Sequence, residues 1–236
     1  RLGSRVTADT VGAMNKIEIR TEDGVCPAWE GGTGPSVLMF MDGIGMRPAI
    51  VAIGERIAAM GYRVLVPDLF YRAGPYTAPD PAKLFSDPVL RDQLRAKLGT
   101  LVNVPNILRD TKAFLAHLPG KVGITGYCMG GRLALCAAAE FPDRIAAAGA
   151  FHPGISAIDF AADRITARVL VAGAREDQNF TAEHAKQLDA ALGSEHTVEI
   201  WPYKHGWVPS DTPVHDAAGA ARHDAALAEL FRATLS

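Results

Sequence analysis

Residues 126–131, GYCMGG, set a cysteine among glycines where an apolar strand run, KVGIT (121–125), gives way to a helix-forming run, GGRLALCAAAEF (130–141). In an open parallel sheet, a G-x-nucleophile-x-G segment at such a junction makes a tight turn. Gly126 and Gly130 let the backbone approach closely, and Cys128 is aimed away from the sheet. The positive end of the following helix favours a thiolate there. The turn also leaves the backbone N–H of Met129 able to donate to an oxyanion. The plainer reading of a free cysteine is a small buried hydrophobe. That reading is adopted for Cys26, in the first hairpin, and for Cys136, inside an Ala-rich helix.

A nucleophile needs a base, and the base needs an orienting acid. On a strand-turn-helix scaffold these follow in the order nucleophile, acid, histidine. Asp177, in GAREDQNF, comes after the run ARVLVAG (167–173). His205, in YKHGW, comes after TVEIWPY (197–203). Both therefore fall at strand carboxyl ends in the required order. Glu176 competes for the acid's part, and an Asp after a strand is commonly a turn former or a helix cap. His117, His184, His196, His215 and His223 sit in helices or near element ends and read as surface residues.

The elements that would position these groups alternate along the chain. IEIRT (17–21) and CPAW (26–29) read as a hairpin, SVLMFM (36–41) as a buried strand, and RPAIVAIGERIAAM (47–60) as a helix stopped by Gly61. YRVLVP (62–67) is a second buried strand, followed by a Pro-rich loop over 71–87 placed to serve as a lid. Residues 87–118 read as one helix interrupted near Pro105. Strand KVGIT, its helix, the strand AAAGAF, ARVLVAG, the helix TAEHAKQLDAAL, TVEIWPY and a closing helix over 215–235 complete the series. This alternation predicts an α/β fold, a mostly parallel central sheet with helices on both faces and its ligand chemistry at the strand carboxyl ends. One domain is expected over 17–236, with 1–16 an arm outside it.

Composition narrows the function further. The chain has 236 residues, 48% hydrophobic and 21% charged, with a formal net charge of −2, so it carries no basic excess for a nucleic-acid partner. No apolar run reaches the length of a membrane span, and a cytoplasmic protein is expected. The three cysteines lack metal-ligand spacing, and Cys128 and Cys136 on one helix would stand about 12 Å apart, too far for a disulfide. No HExxH or clustered His and carboxylate pattern suggests a metal. Neither GGTGP (31–35) nor the elbow glycines match a dinucleotide or P-loop fingerprint. No cofactor is implied.

The blocks MDGIGMRP, GYRVLVPDLFYR, GYCMGGRLAL, FPDRIAAAGAFH and YKHGW, in this order, resemble the dienelactone hydrolase family of the α/β-hydrolase fold, over residues 17 to the C-terminus. The resemblance implies Cys128 as nucleophile, His205 as base and Asp177 as its orienter. It implies Gly43, with Met129, as the second backbone oxyanion donor, and Arg72 as a ligand for a substrate carboxylate. Asp42 stands where the best-known members carry a Glu that interacts with the cysteine, and Pro209 where they carry a second carboxylate-binding arginine. His152, in AFHPG, also falls within a family block.

The implied reaction is hydrolysis of a carboxylic ester or lactone through a cysteine acyl-enzyme, on a small-molecule substrate. A thiolate is itself a good leaving group, so enol esters and enol lactones suit it better than amides. Asp42 is read either as modulating the thiol or as capping the DGIG turn. The alternative function is a non-catalytic small-molecule binder or thiol redox sensor on the same fold. No feature fixes an oligomeric state.

Overall fold

The computed structural model describes residues 13–193 and 196–235. Their strands form one eight-stranded sheet, ordered β1-β2-β4-β3-β5-β6-β7-β8. β1 (Met14–Thr21) and β2 (Gly24–Gly31) make an antiparallel hairpin, and β2 runs antiparallel to β4 (Arg63–Pro67). From β4 through β3 (Ser36–Phe40), β5 (Val122–Tyr127), β6 (Ile145–Phe151), β7 (Arg168–Ala174) and β8 (Thr197–Trp201) every pairing is parallel. β1 begins three residues before the expected start, so residues 14–16 belong to the sheet. The rest of the expected arm, residues 1–12, lies outside the described residues.

Parallel strands covered on both faces read as unbroken apolar runs. All five residues of β3 and all six of β5 are buried. Each fully buried Val, Leu, Ile, Met or Phe in this layer contributes about 1.5–3 kcal/mol. α1 (Pro48–Ala59) carries β3 to β4, while α4 (Val104–His117), α5 (Met129–Glu140) and α6 (Ala182–Leu192) serve crossovers running the other way along the sheet. Right-handed crossovers in opposite directions place helices on opposite faces. α7 (Ala217–Arg232) returns to pack with α1. The direction reverses between β3 and β5, and a crevice at their carboxyl ends is where such sheets bind ligands.

Two expectations between β4 and β5 are corrected. The lid segment is not all loop: a turn of 3-10 helix spans Tyr71–Ala73, and α2 (Pro81–Ser86) follows. The stretch expected as one interrupted helix is two, α3 (Pro88–Gly99) and α4, with the break at 100–103. Pro105 does not kink a helix; it lies in the first turn of α4, where no backbone donor is lost, and the Asn103 side chain caps that turn by accepting from Asn106 N–H at 3.0 Å.

Candidate active site

Cys128 occupies the turn from β5 into α5 with φ 52° and ψ −116°, a conformation that non-glycine residues adopt at a cost. Its neighbours are glycine because nothing larger fits. A Cβ on Gly126 would stand 2.1 Å from the Gly130 carbonyl oxygen, and one on Gly130 would stand 2.3 Å from that of Met41, at the end of β3. Backbone bonds lock the turn: Cys128 N–H donates to Phe151 O, and Gly154 N–H donates to Cys128 O, each at 3.1 Å. Cys128 is half-buried, whereas Cys26 and Cys136 are buried, as their core reading requires.

Asp177 and His205 reach the same place from the ends of β7 and β8. His205 Nδ1 lies 2.5 Å from Asp177 Oδ2, which leaves Nε2 for the thiol, and His205 and Cys128 are near enough for their charges to act on one another. Asp177 Oδ1 accepts from the backbone and side-chain N–H groups of Asn179 at 2.9 and 3.0 Å, so the carboxylate is fixed at both oxygens. Glu176 is exposed and makes no such bond among the described residues. Asp177 does not cap α6 either; Thr181 does, in a reciprocal capping pair with His184.

The electrostatics follow from this geometry. Burial would push the Cys128 thiol up, but the charge of His205 beside it, helped by the Met129 N–H, holds it below the ordinary thiol value. Burial opposes a charge on His205, yet Cys128 and Asp177 together raise it above the ordinary imidazole value. Asp177 is lowered in turn, its burial outweighed by His205 and the Asn179 donors. The arrangement favours a thiolate-imidazolium pair braced by a carboxylate. Gly43 faces Met129 across the crevice, with a Cβ on Gly43 coming 4.0 Å from that of Met129.

Of two other residues singled out in the sequence, Asp42 caps the DGIG turn, one of its two readings, while Arg72 has partners other than a substrate carboxylate. Asp42 is buried, and both its oxygens are taken: Oδ1 by Arg47 at 2.7 Å and by Ile44 N–H at 3.0 Å, Oδ2 by Arg47 at 2.8 Å. It acts on Cys128 only through its charge, which raises the thiol as a lesser effect. Arg72 is not brought to Cys128. Its guanidinium is held by Asp110 at 2.6 and 2.7 Å and by Asp23 at 2.6 and 2.9 Å. Asp110 is 1% exposed, and a carboxylate so deep demands a paired cation.

Sequence reasoning missed Arg47, Asp211 and Phe85. Arg47 is buried and bridges Asp42 to Asp211, which it meets at 2.8 Å, so it ties the loop after β3 to the loop after His205. An arginine at the head of a helix opposes the helix dipole, and that mismatch is the signal that a carboxylate must be near. Phe85, on α2, sits against Gly206, where a Cβ would come within 3.0 Å of its ring. His223, expected at the surface, is fully buried between the Tyr127 hydroxyl at 2.9 Å and Asp224 at 2.8 Å.

The pattern of the dienelactone hydrolase family matches residues 25–235. The chain belongs to that family. It is 29% identical over 211 residues to the carboxymethylenebutenolidase of Rhodococcus opacus, covering 82% of this chain and 78% of that protein. Its identity to the carboxymethylenebutenolidase of Pseudomonas putida is 37% over 112 residues, 45% of each chain. The matches span about half the length of most of these curated relatives. Among solved structures, a dienelactone hydrolase-like promiscuous phosphotriesterase from metagenomic libraries superposes with a TM-score of 0.74 at 22% identity, covering 95% of this chain and 100% of that one. This shows the α/β-hydrolase fold. No helix among the described residues is long and apolar enough to cross a membrane.

Proposed function

We propose that the protein hydrolyses carboxylic esters or lactones, with Cys128 as nucleophile, His205 as acid and base, and Asp177 as the group that orients and charges His205. The observation that carries this reading is the strained Cys128 turn beside His205, whose Nδ1 is hydrogen-bonded at 2.5 Å to the buried Asp177. The thiolate attacks the carbonyl carbon, forming the S–C bond and pushing the carbonyl pair onto oxygen, where the N–H groups of Met129 and Gly43 stabilise it. Collapse breaks the C–O bond; the leaving oxygen takes the proton from His205, and a thioester remains. Water then adds, giving a proton to neutral His205. The second collapse returns the electron pair to sulfur and releases the acid.

Sulfur leaves the tetrahedral intermediate readily, so the first step goes forward only if the competing oxygen leaves more readily still. Enol and aryl oxygens do, and small-molecule enol esters or enol lactones are the substrate class this favours. Arg72 has no part in this reading, because Asp110 and Asp23 occupy it.

The test is mass spectrometry after brief exposure to p-nitrophenyl acetate and a panel of enol lactones, with Cys128→Ala as control. An acyl adduct on the Cys128 peptide, with turnover absent from the control, is the expected result. An adduct on another residue, or equal turnover by the control, overturns the assignment. The redox-sensor reading would lack a resolving thiol at hand, since Cys26 and Cys136 are both buried.

A further inference from the structure

His152 follows β6 with φ 38°, held in that left-handed conformation by its N–H donating to Ala172 O at 2.7 Å. The side chain is 1% exposed. Its ring packs edge-on to that of His205, with centroids 4.9 Å apart at 62°, and equally close to Trp207 at 71°. Both ring nitrogens are buried, and neither has a hydrogen-bond partner among the described residues. The Trp207 indole nitrogen, in the same ring cluster, is a third such atom. A buried imidazole with both nitrogens unmet is destabilising, and a phenyl ring would fill the space without that penalty.

A chain that keeps a strained, unsatisfied imidazole against its catalytic histidine calls for a functional reason, and polar groups left over in a protein interior are the ones that hold water. Building on the hydrolase reading, we propose that His152 holds the water that hydrolyses the acyl-enzyme, against His205. The unprotonated His152 nitrogen accepts a hydrogen bond from the water. The other water proton passes to His205 as the oxygen bonds to the thioester carbon. His152 stays neutral in this role because it is buried and because, once charged, it would face positive charge at His205 and His223. Acylation by Cys128 does not need it.

The test compares wild type with His152→Phe, which keeps the ring and removes the nitrogens, and with His152→Gln, which restores a donor and an acceptor. Expected for His152→Phe is a full burst of p-nitrophenol, with release of the acetyl group from Cys128 slowed about 10–100-fold and a melting temperature no lower than that of wild type. His152→Gln should recover part of the release rate. Release at the wild-type rate in His152→Phe overturns the proposal. So does a lowered melting temperature with burst and release falling together, which is what a purely structural residue would give. If wild type forms no adduct on Cys128, the hydrolase reading fails instead, a result distinct from either.

Discussion

Burial and the Asp42 charge both oppose a thiolate at Cys128, yet the imidazolium of His205 and the Met129 N–H outweigh them, so thiol and imidazole titrate as one pair. The ion pair exists between a thiol value lowered from 9.0 and an imidazole value raised from 6.5. Alkylation of Cys128 by iodoacetamide should therefore gain speed on an acid limb lying below pH 9.0, and kcat/KM should fall on an alkaline limb above pH 6.5. Asp177→Asn removes the carboxylate that lifts His205. It should lower kcat/KM by about 10^3-fold and bring the alkaline limb down in pH. Arg47 is the second pressure point, since it neutralises Asp42. Arg47→Met leaves that buried carboxylate unpaired, which costs about 3 kcal/mol in urea unfolding and moves the alkylation midpoint to higher pH. The double variant with Asp42→Asn should restore both.

At the scale of elements, the elbow works because β5, α5 and the end of β3 touch through backbone. Gly130→Ala puts a methyl group 2.3 Å from Met41 O and 2.6 Å from Phe40 O, so β3 and α5 must part. A loss of about 3 kcal/mol by urea unfolding is expected, together with slower alkylation of Cys128. Gly99→Ala, at the end of α3 with no atom within 4 Å of the new methyl, should instead stabilise by about 0.5–1 kcal/mol. What is legible in the sequence follows the same division. β3, β5, β7 and the elbow are legible because burial on both faces writes an unbroken apolar run and close backbone approach writes a glycine. Cys128 and Asp177 are legible because each follows such a run, and His205 because it follows the β-branched and aromatic run TVEIW. Arg47 and Asp211 are not, because a pair 164 positions apart leaves no periodicity. Arg72 misleads because PDLFYR says nothing of the Asp110 that claims it. The division of 87–118 into two helices is hidden because Pro105 reads as a breaker, although proline in a first turn begins a helix as readily as it ends one.

The molecule as a whole should record these local charges in its stability. Cys128 is lowered and His205 raised, so where their windows overlap the unfolded chain holds one proton more at the thiol and one fewer at the imidazole. The two cancel, and stability should vary little with pH there. His152 and His223 have no such compensation. Burial lowers both; for His223 it outweighs the pull of Asp224, whose charge Arg56 shares at 2.9 Å. Below the ordinary 6.5 the unfolded chain takes up protons that the folded chain refuses, so stability is lost as pH falls from 6.5 toward the folded values. Each histidine contributes up to about 1.4 kcal/mol per pH unit, and the pair about 2.7. Urea midpoints measured at about pH 7 and about pH 5.5 should show this fall. His152→Phe should halve its slope, because one of the two refusing groups is gone and His223, on a different element, still titrates. An unchanged slope in that variant would mean that His152 accepts a proton in the folded protein, which its contact with a cationic His205 argues against.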